Sequence, residues 1–125
     1  MLDPTKPRPS PGPGELGVTF EQPDAHHALL VVDGEIDTLT AGSLERALTE
    51  LLNASADVLV VDLSAVTFLA SSGLAVLIRA AHDAGERRLR LVSTARAVRR
   101  PMEITGSDQL FDLYPDRTAA LSPEE

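Results

Sequence analysis

Two adjacent serines, Ser71 and Ser72, stand in the segment ASSG between an apolar run and a stretch with helical periodicity. A serine at the start of a helix commonly serves as the N-cap, where its hydroxyl accepts a backbone N–H and contributes about 1 kcal/mol. Capping accounts for one of the two serines. The other would lie at the positive end of the helix dipole, where unpaired N–H donors stabilise a phosphate group. Phosphorylation is therefore the chemistry that this pair suggests.

A serine can also act as a nucleophile, but the sequence lacks the groups that would activate it. The segment is not the G-x-S-x-G elbow of hydrolases, because Leu69 occupies the place of the first glycine. His82 lies three turns further along the same predicted helix, and His26 and His27 precede a strand. With no base in reach of either serine, we expect no catalytic residue.

Two further features suggest other chemistries that the rest of the chain does not support. Asp62 ends an apolar run, where the receiver domain of a two-component system carries its phosphoacceptor. That domain also needs an acidic pair and a late lysine, and the one lysine here is Lys6. Asp62 is therefore expected to bind local backbone as a turn residue. The pair His26–His27 lacks the further ligands of a metal site, and no glycine-rich phosphate loop is present, so we expect no metal and no cofactor.

The composition is that of a soluble globular domain with an uneven charge. The 125 residues have a net charge of −8, and residues 1–62 carry 11 acidic and 3 basic side chains, whereas residues 63–125 carry 8 of each. This acidity argues against direct nucleic-acid binding, which needs a basic surface. A partner with a basic patch would be attracted to the acidic half, although a solubilising surface is the commoner explanation.

The absence of long apolar runs and of cysteine bears on the cellular compartment in which the protein is expected. No apolar run approaches the roughly 20 residues that span a bilayer, and the first residues contain no apolar segment of the secretory type. The sequence has no cysteine for disulfides or thiol chemistry. We expect a cytoplasmic protein.

The chain divides into a proline-rich start and one folded domain. Five of the nine prolines lie in the first 13 residues. They remove backbone donors, so residues 1–15 are expected to form a disordered tail. A Pro-rich ligand for another module is the alternative. The folded domain is expected to cover residues 16–121.

Strand-like and helix-like patterns alternate through that domain. Leucine spacing predicts a helix from about Thr38–Thr40 to Asn53, and a second helix runs from ASSG to a left-handed cap at Gly85. The apolar run 58–61 predicts a strand covered on both faces. The other predicted strands lie at 17–22, 27–37 and 88–93. In the last of these, Arg88 and Arg90 are expected to point outward and Leu89 and Leu91 inward. A third helix is predicted through Ala95, Val98 and Met102, followed by a short apolar segment and a polar C-terminal tail. This alternation predicts an α/β fold with a largely parallel sheet.

Three separated stretches carry a resemblance to a known family: GEIDTLTA (34–41), VLVVDLSAVTFLASSGLAVL (58–77) and RLRLVS (88–93). Together they resemble the STAS domain, and at this length the bacterial anti-sigma factor antagonists. The second stretch is the most specific, because it combines an apolar strand, D-L-S, an aromatic and S-S-G-L. The resemblance implies a four- to five-stranded, mostly parallel sheet with helices packed on one side.

The resemblance also implies a function without catalysis. Such proteins bind an anti-sigma factor that is a serine kinase with a GHKL-type ATP site, and binding releases the sigma factor. The kinase phosphorylates a serine at the start of the second helix, which breaks the complex, and a PP2C-type phosphatase reverses the modification. The resemblance implies neither a direct nucleic-acid partner nor a membrane partner, and it leaves room for a weak homodimer.

The motif also implies which residues carry this function. By position in it, the phosphoacceptor would be Ser71, with Ser72 as second choice and as the neighbouring cap. Glu35, Asp37, Ser72 and Gly73 would lie at the partner surface.

Ala70 departs from the family pattern, which usually has aspartate before the phosphoserine. Loss of an orienting carboxylate would impair phosphorylation, whereas loss of a like charge beside the phosphate would favour it. Both effects stay open on the sequence alone. The rival function is a STAS scaffold or accessory subunit of a transport or stress-signalling complex that is not phosphorylated.

Overall fold

The computed structural model describes residues 11–12 and 14–122, so most of the predicted tail over residues 1–15 lies outside the described residues. Within them the chain forms five strands: β1 (Leu16–Asp24), β2 (His27–Ile36), β3 (Val58–Leu69), β4 (Leu89–Val92) and β5 (Asp112–Tyr114). The α-helices are α1 (Ala41–Leu52), α2 (Ser71–Ala84), α3 (Arg96–Thr105) and α4 (Arg117–Leu121). The bounds of α1 agree with those predicted from its leucine spacing.

The strands form one sheet whose spatial order equals their chain order, from β1 to β5. The β1–β2 pair is antiparallel, and the other three neighbouring pairs are parallel. Parallel neighbours need long crossover connections, and α1, α2 and α3 supply them. The C-terminal ends of β2 and β3 therefore meet at the same edge of the sheet, and this arrangement positions the candidate site.

The main core lies between the sheet and the helices α1, α2 and α3. Leu59 and Val61 of β3 belong to this core, whereas Val60 belongs to a smaller cluster on the opposite face, and all three are fully buried. The predicted strand that is covered on both faces is confirmed. The apolar positions that α1 and α2 bury are Leu44, Ala47, Leu48 and Leu51, and Gly73, Leu74, Val76, Leu77, Ala80 and Ala84.

A short C-terminal helix, α4, covers the second face of the sheet where a polar tail was predicted. Its Ala120 packs with Leu29, Val60 and Val92. The helix has five residues, too few for an apolar period to appear in the sequence. The cover on the second face of the sheet therefore has no local signature in the sequence.

Arg90 does not point into solvent, and that prediction is wrong. Its side chain lies on the opposite face from its leucine neighbours, as the alternation predicts, but α4 covers that face and leaves Arg90 only 6% exposed. Its Nη1 donates to the carbonyl oxygens of Ala120 at 2.8 Å and Ser122 at 3.0 Å. The guanidinium also lies 5.6 Å from the centre of the Tyr114 ring. A cation thus stabilises the C-terminal end of α4.

The ends of two elements differ from the sequence prediction. Gly85 follows α2 with a positive φ of 60°, but its ψ of −127° lies outside the left-handed helical region. β3 does not end at Asp62 and continues to Leu69, with an irregular register opposite the 31–33 segment of β2.

No helix in the described part of the chain is long and apolar enough to cross a membrane.

Candidate functional site

The candidate site forms where the C-terminal ends of β2 and β3 lie side by side. Glu35 pairs with Phe68, and Ile36 pairs with Leu69. The N–H of Ala70 then donates to the carbonyl oxygen of Ile36 at 2.8 Å. This bond fixes the start of α2 against the end of β2. The β2–α1 loop and the first turn of α2 are therefore neighbours.

Neither serine caps α2, and the prediction that one of them does is wrong. The N-cap is Ala70, with φ −81° and ψ 164°, and no side chain caps the helix. The hydrogen bond to Ile36 holds Ala70 in an extended conformation, while its carbonyl already accepts the N–H of Leu74 at 3.0 Å. The helix therefore starts at Ser71. Its first-turn N–H groups have no intrahelical acceptor.

The two serines differ in their exposure to solvent. Ser71 is exposed, whereas Ser72 is partly buried. The Ser72 hydroxyl is enclosed and has no hydrogen-bond partner in the part of the chain that the structure describes. A kinase must reach the hydroxyl that it modifies, so this difference favours Ser71 as the phosphoacceptor. Ser72 as a partner contact stays a prediction.

Gly73 lies beneath this surface and has a packing role. A Cβ atom at this position would overlap with Cγ2 of Ile36 and would lie 3.1 Å from Cδ1 of Leu69. Only glycine therefore lets α2 approach the ends of β2 and β3 so closely. A partner contact by Gly73 stays a prediction, and the residue is buried in the free protein.

Asp37 organises the loop between β2 and α1. Its Oδ1 accepts the N–H groups of Leu39 at 2.9 Å and Thr40 at 3.1 Å, and its own N–H donates to Oγ1 of Thr40 at 2.9 Å. The Thr40 hydroxyl donates onward to the carbonyl oxygen of Glu35 at 2.8 Å. Asp37 therefore shapes the loop, whereas the Glu35 side chain is exposed. Their partner contacts stay predictions.

Two exposed apolar side chains near Ser71 were not among the predicted site residues. Leu39 is 77% exposed and Phe68 is 48% exposed. Leu39 belongs to the loop that Asp37 organises, and Phe68 lies opposite Glu35 in the sheet. The aromatic of the family motif was the available signal. That signal alone does not predict exposure, because an apolar residue near a strand end is usually part of a core.

Asp62 belongs to the scaffold rather than to this surface. It is 3% exposed, and its Oδ1 accepts the N–H of Ser64 at 2.9 Å and the Ser64 hydroxyl at 2.6 Å. The Arg117 guanidinium donates to Oδ2 at 2.9 Å and 2.8 Å. Burial raises the pKa of Asp62, but the Ser64 hydrogen bonds and Arg117 outweigh it and hold the pKa below its ordinary value. The predicted local backbone contact is confirmed, and the ion pair ties α4 to β3.

The adjacent histidines lie at the β1–β2 turn, with His26 in the turn itself and His27 at the first position of β2. Nδ1 of His27 lies 2.8 Å from Oδ1 of Asp24, and Nδ1 of His26 lies 3.2 Å from Oδ2 of Asp57. The His27 ring and the His26 N–H lower the pKa of the Asp24 carboxyl. Over residues 11–12 and 14–122, no group of three or more metal-ligating side chains is found.

Comparison with known proteins agrees with this architecture. The STAS domain family profile matches residues 19–120. The anti-sigma-F factor antagonist RsfB of Mycobacterium tuberculosis is 38% identical over 96 residues, which cover 76% of this chain and 79% of that protein. The anti-sigma-B factor antagonist of Listeria monocytogenes is 30% identical over 100 residues, which cover 78% of this chain and 88% of that protein.

A solved structure of a related protein has the same fold. The crystal structure of an anti-sigma factor antagonist from Mycobacterium paratuberculosis matches with a TM-score of 0.82 at 38% identity. The match covers 89% of this chain and 95% of that chain. The predicted α/β fold with a four- to five-stranded, mostly parallel sheet is confirmed, and the sheet has five strands.

Proposed function

The chain belongs to the STAS domain family, and we propose that it is an anti-sigma factor antagonist that phosphorylation of Ser71 switches off. Its partner is an anti-sigma factor that is also a serine kinase with a GHKL-type ATP site, and binding releases a sigma factor. A PP2C-type phosphatase restores the active form, and the cycle takes place in the cytoplasm. The relatives named as antagonists support this role. The protein acts by binding and is not an enzyme.

The observation that carries the proposal is the exposed Ser71 in the first turn of α2, close to exposed apolar side chains. Phe68 and Leu39 expose about half and three quarters of their surfaces, at 48% and 77%. Large apolar groups concentrated beside polar ones are typical of the centre of a protein interface. We name the surface formed by Leu39, Phe68 and Ser71 the switch surface.

Acidic groups adjoin the switch surface and indicate the charge of its partner. The exposed Glu35 lies opposite Phe68, and Asp33 precedes it on β2. Charges at the rim of an interface mainly increase the association rate and select the partner. A basic patch on the kinase, around its phosphate-binding site, would meet them.

A phosphate on Ser71 would weaken this complex without unfolding the domain. It adds a charge of about −1.5 to −2 at neutral pH, next to apolar groups that docking removes from water. Burying an unpaired charge costs several kcal/mol, and each 1.4 kcal/mol changes affinity about tenfold. In the free protein the same phosphate is stabilised, because the uncapped first turn of α2 offers N–H donors.

The test is a capture experiment with immobilised protein and a lysate of the source organism. The baits are wild type, Phe68→Ser and Val18→Ser, and the bound proteins are identified by mass spectrometry. Val18 is a matched control, because it is an apolar residue of similar exposure, at 41%, on the edge strand β1.

We expect wild type and Val18→Ser to retain an ATPase of the GHKL class and Phe68→Ser to lose it. Equal retention of this ATPase on all three baits would show that the switch surface does not bind it. Capture of a transport or stress-signalling complex without such an ATPase would favour the scaffold function.

A further inference from the structure

The arginines of the described residues divide into two groups by the contacts of their side chains. Each one outside α3 donates a hydrogen bond from its guanidinium group to a carboxylate, hydroxyl or carbonyl oxygen: Arg46, Arg79, Arg87, Arg88, Arg90 and Arg117. The three in α3, Arg96, Arg99 and Arg100, have no such partner in the part of the chain that the structure describes, and Nε of Arg99 is enclosed as well. These three cations are therefore available to a ligand.

Their position is unfavourable in the free protein. The first turn of α3 contains no acidic residue, and no side chain caps it. Arg96 and Arg99 lie in this turn, where the positive end of the helix dipole repels cations. Departures from such local preferences are expected at functional sites. A negatively charged ligand would remove the repulsion.

The outer face of α3 combines these cations with an apolar side chain. Arg96, Arg100 and Ile104 recur at a spacing of four residues, which places them along one side of the helix. All three are exposed, and Ile104 exposes 68% of its surface. Val98 and Met102 are buried on the opposite side. Because eight residues of helix rise about 12 Å, the outer face is elongated, with a basic end and an apolar end.

This arrangement distinguishes between classes of ligand. A phosphate ion is compact and makes no use of an exposed isoleucine. Nucleic acid needs a broad basic surface, whereas the chain has a net charge of −8 and Glu103 lies one turn from both Arg99 and Arg100. An acidic amphipathic segment presents carboxylates and apolar side chains along its length, and such segments dock through apolar residues at helical spacing. The outer face of α3 fits this last class.

We propose that the outer face of α3 is a second docking surface, which binds an acidic amphipathic segment of a partner protein. Arg96, Arg99 and Arg100 pair with carboxylates of that segment, and Ile104 packs against its apolar side chains. The inference does not rest on the proposed function, because it uses no residue of the switch surface.

The test is a ¹⁵N NMR titration of the full chain with a synthetic peptide of glutamate and leucine, in which the leucines recur at helical spacing. We expect amide shifts concentrated in residues 96–105. The dissociation constant should rise at least about tenfold when Arg96→Gln and Arg100→Gln are combined, because two ion pairs are lost. The matched control is Arg46→Gln, which changes an exposed arginine of α1 and should leave the dissociation constant unchanged. Ile104→Ser should weaken binding of this peptide but not of a peptide of glutamate and serine.

A further variant separates peptide binding from the stability of the domain. Arg96→Glu should raise the denaturant concentration at the unfolding midpoint, because a carboxylate is favourable in the first turn of a helix. The same substitution should weaken peptide binding more than Arg96→Gln does. A purely structural role of Arg96 would not move these two quantities in opposite directions.

Three results would contradict this docking surface. The first is a titration in which the shifts lie elsewhere, for example at the switch surface, and the second is an equal dissociation constant for wild type and the double arginine variant. The third is the same set of shifts with inorganic phosphate or duplex DNA at a lower concentration than with the peptide, which would assign the arginines to a phosphate ligand. None of these measurements involves the kinase, so failure of this inference is distinguishable from failure of the proposed function.

Discussion

Ala70 is the residue at which this chain departs from the family motif, and it occupies the N-cap position of α2. An aspartate there would accept an N–H from the first turn of the helix. Alanine leaves those donors available to a phosphate on Ser71. On the proposed function, the departure would therefore cost the free protein a helix cap and favour the phosphorylated form.

Substituting Ala70 separates these two effects. We expect Ala70→Asp and Ala70→Asn each to raise the free energy of unfolding by about 1 kcal/mol, because both side chains cap α2. Only Ala70→Asp should also raise the second pKa of phosphorylated Ser71 clearly, because its carboxylate repels the phosphate dianion. Denaturant unfolding measures the first quantity and ³¹P NMR titration the second. Equal phosphate pKa values in all three proteins would contradict this account of Ala70.

Gly73 determines how closely α2 approaches the sheet. We expect Gly73→Ala to lower the free energy of unfolding by about 1–3 kcal/mol, because the added methyl group overlaps with Ile36 in a packed core. The control is Gly42→Ala in α1. There the nearest atom to the new methyl belongs to the flexible Arg46 side chain, at 3.6 Å.

Gly42→Ala should be neutral or stabilising, because alanine favours the helix. In the Gly73→Ala background, Ile36→Ala should cost less than it does in wild type, because it relieves the overlap. Denaturant unfolding measures wild type, the three single variants and the double variant. Additive costs for Gly73→Ala and Ile36→Ala would show that the two residues do not interact in this way.

The helix α4 is held by charged groups at both ends. Arg117 pairs with the buried Asp62 near its start, and Arg90 donates to the carbonyls near its end. Only Ala120 is buried within it. These polar contacts must therefore provide much of its attachment.

The Asp62 ion pair predicts a specific pH dependence. Because the pKa of Asp62 is lower in the folded protein, the stability that this group contributes is fully present above the unfolded-state pKa of about 3.9. It is lost as the pH falls through the lower, folded-state pKa. We expect Asp62→Asn to cost about 1–3 kcal/mol at pH 7 and progressively less below pH 4.

Unfolding curves of wild type and Asp62→Asn across this pH range provide the measurement. Asp83→Asn, at an exposed position, serves as the control for a general loss of charge. A difference between wild type and Asp62→Asn that stays constant down to pH 2 would contradict the role of the ionised pair.

The long elements were predictable because each has a strong local pattern. Leucines at helical spacing define α1, and the β-branched run at 58–61 defines the middle of the sheet. By contrast, α4 and the burial of Arg90 depend on contacts between β4 and the end of the chain. No local pattern encodes such a contact.

The motif predicted that the paired serines lie at the start of α2, but it did not predict which residue caps the helix. Which residue caps α2 depends on the backbone bond between Ala70 and Ile36, which joins residues far apart in sequence. The exposure of Phe68 likewise depends on how β3 pairs with β2. The sequence therefore indicated where the site lies, and the tertiary pairing determined which of its atoms face solvent.

The charge of the whole molecule predicts salt-dependent partner binding. The first half of the chain holds the entire net charge of −8, and several of its carboxylates adjoin the switch surface. Attraction to a basic partner is screened as the Debye length falls from about 10 Å at 0.1 M salt to about 3 Å at 1 M. We expect the association rate with the kinase to fall at least tenfold over this range.

Glu35→Gln should lower the association rate at 0.1 M salt and flatten its salt dependence, whereas Glu86→Gln should leave both unchanged. Glu86 is also exposed but lies in the turn after α2. Stopped-flow mixing with the purified kinase provides the rates. If the association rates of wild type and Glu35→Gln depended on salt to the same extent, Glu35 would not lie at the interface.

The central claim is that one phosphate on Ser71 decides whether this protein binds its kinase. The most direct measurement is the dissociation constant of the purified kinase for the unphosphorylated and the Ser71-phosphorylated protein, by calorimetry. We predict a loss of affinity of at least about a hundredfold. Ser71→Ala should bind in the presence of ATP as tightly as unphosphorylated wild type does without ATP. Equal dissociation constants for the two forms, or a phosphate mapped to a residue other than Ser71, would contradict the account.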